Sequence, residues 1–244
     1  MAVDFVPYGA YEDIINILGK WKVMDMKGLN DLCSYELKYF NLLSKVRKLE
    51  SHGLVKGVLL GRKDKHIYLT NKGLKFTGYD YTYEICDENI THDLITGRVL
   101  KELIKTPYFI DGKMFHEVAI DNLFPDAEVK GIKDNIRYNL ALEIELTQKS
   151  ESRVKEKYRK YGRERNYNYV LFITRKEALF KTYKRYLEEM SSDVQEAVIL
   201  MIDKNLSVKK FNQEDATCFY QRQITNFNKL FEDRDRESQE LNKV

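Results

Sequence analysis

The stretch LFPDAEVKGIKDNIRYNLALEIELTQKS, residues 123–150, sets Asp126 behind a proline and later places Glu143 and Glu145 on either side of Ile144. Around that pair, Leu140, Leu142, Ile144 and Leu146 alternate with Ala141, Glu143, Glu145 and Thr147. A side-chain period of two predicts a strand. The leucines and Ile144 then face one way, and both glutamates face the other, with Cα atoms about 6.5 to 7 Å apart. If the segment carrying Asp126 pairs alongside, three carboxylates converge. Like charges that close favour a divalent cation to neutralise them, and an all-oxygen set suits Mg²⁺ or Mn²⁺ far better than zinc. The plain alternative is a strand with one solvated face, which alternates apolar and charged residues without any chemistry. Pro-Asp alone is also common as a turn. The two pieces in this order, followed by the Lys/Arg-rich run SRVKEKYRKYGRERNYNY at 152–169, tilt the reading toward a site.

Several elements must position these residues. ITHDLITGRVLKELIKT predicts a helix, with Leu94, Ile95, Val99, Leu100 and Leu103 at helical intervals and Thr91 as its cap. YFIDGKMFHEVAID predicts a hairpin turning at Asp111 and Gly112; FPDAEVKG and IRYNLALEIELTQ predict two further strands. A charged helix over 150–165, a buried strand YNYVLFITR, a helix KEALFKTYKRYLEEM and a buried strand EAVILMID follow. The order helix, three strands, helix, strand, helix, strand predicts a mixed α/β sheet with helices on both faces. The basic run interleaves Lys and Arg, including Arg159 and Lys160, with tyrosines, which offers phosphate-binding charge and stacking groups. A solvated helix with Glu151, Glu156 and Glu164 as partners explains it equally well. Residues 206–244 predict a helical tail, with helical stretches around Phe219–Phe231 and a frayed, charged end.

Residues 1–78 have a different organisation. YEDIINILG and MKGLNDLCS predict two short helices, and a third begins after Ser34 as a cap. In that third helix Leu37, Phe40, Leu43, Val46 and Leu49 form the buried stripe, Gly53 closes it, and Lys38, Tyr39, Asn41, Lys45 and Lys48 lie off the stripe. Two strands follow, joined by a basic turn around Arg62, Lys63, Asp64 and Lys65. LSKVRKLESHGLVK followed by IYLTNKG resembles the recognition helix and wing of winged-helix DNA-binding domains. That resemblance implies insertion of the third helix into the major groove and phosphate contacts by the wing. A winged helix used for dimerisation or protein binding is the alternative. Residues 79–89 read as a linker, leaving 90–205 as the second domain.

Composition sets the outer bounds. A chain of 244 residues suits two domains, and 43% hydrophobic with 32% charged residues suits a folded chain. A net charge of +3 announces no polyanion ligand by itself, so only uneven placement of charge makes a basic face. Three cysteines with no CxxC spacing fit a reducing cytoplasm. No apolar run approaches the roughly 20 residues that cross a bilayer.

HDL at 92–94, PDA at 125–127, EIELT at 143–147 and KYRKY at 157–161 together resemble the PD-(D/E)XK nuclease superfamily. More narrowly they are similar to the plasmid replication-relaxation and MOBC-type relaxase group, in which a winged helix precedes the nuclease domain. The resemblance implies that Asp126 and Glu143 hold Mg²⁺ or Mn²⁺, with Glu145 as a further acidic ligand standing where the pattern has lysine. Lys157, with Tyr161 one turn on, is then the preferred replacement for that lysine, and Lys149 the second choice. His92 and Asp93 become a base or an outer ligand, or else structural residues. The implied function is a DNA endonuclease that nicks double-stranded plasmid DNA at an origin of transfer, with accessory mobilisation proteins as partners. Two rivals stand: a non-catalytic DNA-binding regulator with a degenerate nuclease fold, and a restriction-type nuclease. Water is the default nucleophile, since none of Tyr158, Tyr161, Tyr167 and Tyr169 is singled out.

Overall fold

The computed structural model describes residues 5–35, 37–60, 64–79, 87–115 and 123–231. The chain divides into two compact units, Met1–Gly97 with His116–Val118, and Arg98–Phe115 with Ala119–Val244. Most of the linker expected over 79–89 lies outside the described residues, and the division falls between Gly97 and Arg98.

In the first unit the elements run α1 (Ala10–Trp21), β1 (Val23–Asp25), α2 (Met26–Leu32), α3 (Tyr39–Ser51), β2 (Val55–Leu60), β3 (Asp64–Leu69) and α4 (Asn71–Leu74). The three strands form an antiparallel sheet in the order β1-β3-β2. Ile14, Ile15 and Leu18 of α1, Leu29 of α2, Leu42, Val46 and Leu49 of α3, and Ile67 of β3 are all fully buried. Gly53 ends α3 with φ +68°, the left-handed conformation its position suggested.

Two expectations for α3 need correction. Ser34 does not cap it; the Ser34 amide and hydroxyl both donate to Asp13, and the helix begins at Tyr39 with no side-chain cap. The buried stripe is Leu42, Val46 and Leu49, with Leu37 and Leu43 half-buried, so Phe40 is 79% exposed. At about 100° per residue, Phe40 stands roughly 160° around the helix from Leu42. Packing selected the 42/46/49 face, and Phe40 was left on the far side.

The next helix, α5 (Asp87–Leu103), begins four residues before Thr91, which is therefore interior rather than a cap. The second unit continues with β4 (Phe109–Met114), β5 (Ala127–Lys133), β6 (Ile136–Ile144), α6 (Glu151–Arg163), β7 (Tyr169–Thr174), α7 (Glu177–Glu188), α8 (Ser192–Ala197), β8 (Val198–Ile202), β9 (Thr217–Tyr220), β10 (Gln223–Asn226) and α9 (Phe227–Phe231). These strands make one seven-stranded sheet, β10-β9-β8-β7-β6-β5-β4. The β6/β7 and β7/β8 pairs are parallel and the rest antiparallel, so this is the expected mixed sheet. Ala141, Val170 and Phe172 of the sheet pack with Val154 and Tyr158 of α6 and Leu179 and Phe180 of α7 on one face. On the other, Phe231 of α9 lies 5.7 Å from the Tyr138 ring and 5.4 Å from that of Phe109. Among the described residues no helix is long and apolar enough to cross a membrane.

The structure departs from expectation at two turns. Asp111 and Gly112 are not a turn: β4 runs straight through them, pairing Asp111 with Lys130 and Gly112 with Val129. Gly112 is needed because a Cβ there would strike Leu100 and the Glu128 carbonyl. In place of the helical tail expected over 206–244, the described residues hold a hairpin over 217–226 followed by the short helix α9, and the charged end, 232–244, lies outside the described residues. TCFY buries Cys218 and Phe219, and Gln221 and Arg222 turn the chain at φ +47° and +64°. Both signs are those of a two-residue hairpin turn.

Candidate active site

The β5–β6 hairpin turns at Asp134 and Asn135, with φ +50° and +62°, and this short turn sets the register of everything upstream. Lys133 pairs with Ile136 and Ala127 with Leu142. One step further, the Asp126 amide donates to the Leu142 carbonyl at 2.9 Å, and the Ile144 amide donates to Asp126 Oδ2 at 2.7 Å. Asp126 therefore stands across from Glu143. Alternation places Asp126, Glu128, Ala141, Glu143 and Glu145 on one face of the sheet, the face that α6 and α7 cover.

Helix α6 places Lys157 and Tyr161 one turn apart on the side facing that surface. Both end on Glu143, which is 2% exposed. Lys157 Nζ donates to Glu143 Oε2 at 2.5 Å, and Tyr161 Oη donates to Oε1 at 2.5 Å. Burial pushes the Glu143 carboxyl up to about 7; Lys157 opposes the shift, and the nearby Asp126 charge adds to it. Burial works against the Lys157 ammonium, but the carboxylates of Glu143, Asp126 and Glu145 outweigh it and hold its pKa above the usual lysine range. Tyr161 is held well above a normal phenol, first by burial and then by the Glu143 charge.

Glu145 has its own enclosure. Its Oε1 accepts from Lys149 Nζ at 2.8 Å and its Oε2 from Tyr183 Oη at 3.4 Å, while the Lys149 amide donates back to Tyr183 Oη at 3.4 Å. Lys149 therefore attends Glu145 rather than Glu143. Among the described residues no three His, Cys, Asp or Glu side chains are arranged to hold a metal ion, so the expected three-carboxylate set is not assembled. Glu145 is held instead by Lys149 and Tyr183, two residues beyond the position that faces Asp126. What remains is Asp126, partly exposed, facing buried Glu143. Such a pair still fits Mg²⁺ or Mn²⁺, which is commonly held by one or two carboxylates and completed by water and substrate phosphate.

His92 and Asp93 belong to the first unit. Asp93, 4% exposed, is paired with Lys22 at 3.4 Å, and His92 Nδ1 lies 3.6 Å from Asp93 Oδ1. Tyr158 and Tyr161 are 0% and 2% exposed, so neither side chain reaches solvent.

Glu128 was not anticipated from sequence, and Tyr167 was named only as one of four tyrosines with no role singled out. Glu128 is 9% exposed and has Lys113 Nζ at 4.0 Å, and its charge, after burial, helps hold the Tyr167 phenol above its usual range. The signal was present, because Asp126 and Glu128 alternate on β5 as Glu143 and Glu145 do on β6. Tyr183 left no such signal: only folding brings α7 to β6.

The basic residues expected to meet DNA differ in their freedom. Lys38, Tyr39 and Asn41 are exposed at the start of α3. Lys45 lies over the Tyr11 ring at 4.4 Å and Lys48 over Phe5 at 5.1 Å. Lys65 is paired with Glu50 at 2.6 Å, while Arg62 and Lys63 lie outside the described residues. Arg159 and Lys160 are exposed on α6, and Arg159 shares a shallow cleft with Arg163, Glu189 and Asp193, whose signs balance.

No family model matches the sequence, and no curated protein matches it. Among solved structures, that of the restriction endonuclease FokI is 10% identical over 72% of this chain and 40% of that one, with a TM-score of 0.24. FokI bound to DNA is 12% identical over 73% of this chain and 40% of that one, with a TM-score of 0.25. The chain thus spans well under half the length of these proteins, and scores of this size carry no argument about activity.

Proposed function

We propose that the protein is a metal-dependent DNA endonuclease of the PD-(D/E)XK kind, with a winged helix in its first unit that selects the DNA. One observation carries this reading: Asp126 and Glu143 oppose each other across a strand pair, with the Lys157 ammonium on Glu143. Asp126 and Glu143 would hold the metal, which when bound supplies a polarised phosphate and an acidified water. Lys157 takes the place of the lysine absent at position 145 and offsets negative charge that develops on the phosphate oxygens. Tyr161 holds Glu143 in orientation through Oε1. Asp126 and Lys157 are partly exposed where Glu143 is not, so substrate approaches from their side.

The finer assignment is nicking of double-stranded plasmid DNA at an origin of transfer, in the cytoplasm and with accessory mobilisation proteins. It is supported by the HDL, PDA, EIELT and KYRKY motifs. Supercoiled plasmid carrying a transfer origin, incubated with Mg²⁺ or Mn²⁺, tests it. Open-circular product should appear first, and linear DNA appearing first points to a restriction-type cut. If Asp126→Ala and Glu143→Ala nick as well as the parent, the site is wrongly placed.

A second reading has its own support. All four carboxylate oxygens of Glu143 and Glu145 accept from side chains of the protein, and both residues are 2% exposed. A closed set of this kind suits a regulator that keeps the nuclease fold and binds DNA without cutting it. Metal titration separates the two, because the regulator binds equally well with or without Mn²⁺ and yields no product.

A further inference from the structure

Helix α3 carries two rings that its own unit does not use. Phe40 is 79% exposed, the highest value for a large hydrophobic side chain among the described residues, and Tyr39 is 50% exposed. Their rings meet edge to face, 6.1 Å apart at 76°. The core stripe Leu42, Val46 and Leu49 lies on the other side of the helix, so the fold of the first unit does not require an aromatic residue at position 40. An exposed large apolar group of this kind is informative where a scattered leucine is not.

Resting on the reading of the first unit as DNA-binding, we propose that Phe40, supported by Tyr39, is an apolar wedge that stacks against bases and opens a base step of duplex DNA. The charge around the rings selects this occupant. Lys38 precedes them and Arg47 shares the outward face of α3 two turns on, while Lys45 and Lys48 lie over the Tyr11 and Phe5 rings. The helix holds one acidic residue, Glu50, which Lys65 engages. A second copy of the chain would set these cations against each other. A polyanion that also carries flat apolar surfaces matches both the charge and the rings. Apolar side chains inserted at base steps unstack and kink DNA, and flexible pyrimidine–purine steps yield most easily.

The test uses the full-length protein and a mixed-sequence duplex of about 30 base pairs with 2-aminopurine at its TA steps. Binding is followed by anisotropy across a salt series and unstacking by 2-aminopurine fluorescence. The parent should bind and brighten the probe. Phe40→Ser should bind roughly 5- to 100-fold more weakly, with the salt slope unchanged and the brightening lost, while Phe40→Leu keeps the brightening. Arg47→Ala should do the reverse, lowering the slope and leaving the brightening. Circular dichroism of each variant should overlay the parent, as Phe40 is outside the core. Equal affinity and equal brightening for Phe40→Ser overturn the wedge while leaving DNA binding intact. So does a parent that binds without brightening, or a parent dimer that Phe40→Ser dissociates without changing DNA affinity. A parent that binds no duplex overturns the wedge and the DNA-binding reading together.

Discussion

Lys157 and Tyr161 occupy one face of α6 and converge on a single buried carboxylate. In the nuclease reading this pair does the work of the lysine missing at position 145, so Lys157→Met should slow plasmid nicking by about 10²- to 10³-fold. Duplex affinity measured by anisotropy should stay near the parent value. Tyr161→Phe leaves Glu143 Oε1 without its donor inside the fold, at a cost of about 1–3 kcal/mol in urea unfolding. The Glu143 carboxyl also makes stability depend on pH. Its folded value of about 7 exceeds the ordinary 4.5, so its contribution is complete below 4.5 and is lost as pH rises through 7. The urea midpoint should fall between those limits, and Glu143→Gln should flatten the fall. A parent and variant with parallel profiles would refute the shift.

At the scale of elements, the β5–β6 hairpin decides whether a site exists. Its two-residue turn at Asp134–Asn135 places Asp126 opposite Glu143, and a slip of one residue would turn Asp126 to the other face. Both turn residues adopt left-handed backbone, which asparagine tolerates and a β-branched residue does not. Asn135→Gly should leave nicking unchanged and hold or slightly raise the urea midpoint. Asn135→Val should cost about 1–2 kcal/mol and reduce nicking beyond what lost stability explains. α6 depends on the same register, because Lys157 can reach Glu143 only if Glu143 faces it.

The whole molecule divides its labour between two units: one is proposed to grip DNA and the other to cut it. Removing metal should therefore separate the activities. With EDTA, nicking should stop while duplex binding persists, and Mg²⁺ or Mn²⁺ should restore the product. A metal bound only by the folded chain also raises its melting temperature by mass action. Mn²⁺ should shift the parent upward and leave Asp126→Asn unmoved; equal shifts for both would remove Asp126 from the site.

Much of this was legible before any coordinates. Alternation in LALEIELT put Glu143 and Glu145 on one face because strand side chains repeat every two residues, a purely local rule. Hydrophobic periodicity likewise revealed most of the order of helices and strands from residue 90 to 203, though not α8, and the family resemblance carried by KYRKY pointed to Lys157. Local rules reach only a few residues, and the remaining features join distant ones. Glu145 is closed off by Tyr183, and the register of a hairpin turn decides which carboxylate Asp126 meets. At 217–226, burial of Cys218 and Phe219 against β8 drew into the sheet a segment whose pattern suggested helix. On α3 two apolar stripes competed within a single helix; only packing against α1 and the sheet determined that Leu42 would be buried and Phe40 left in solvent.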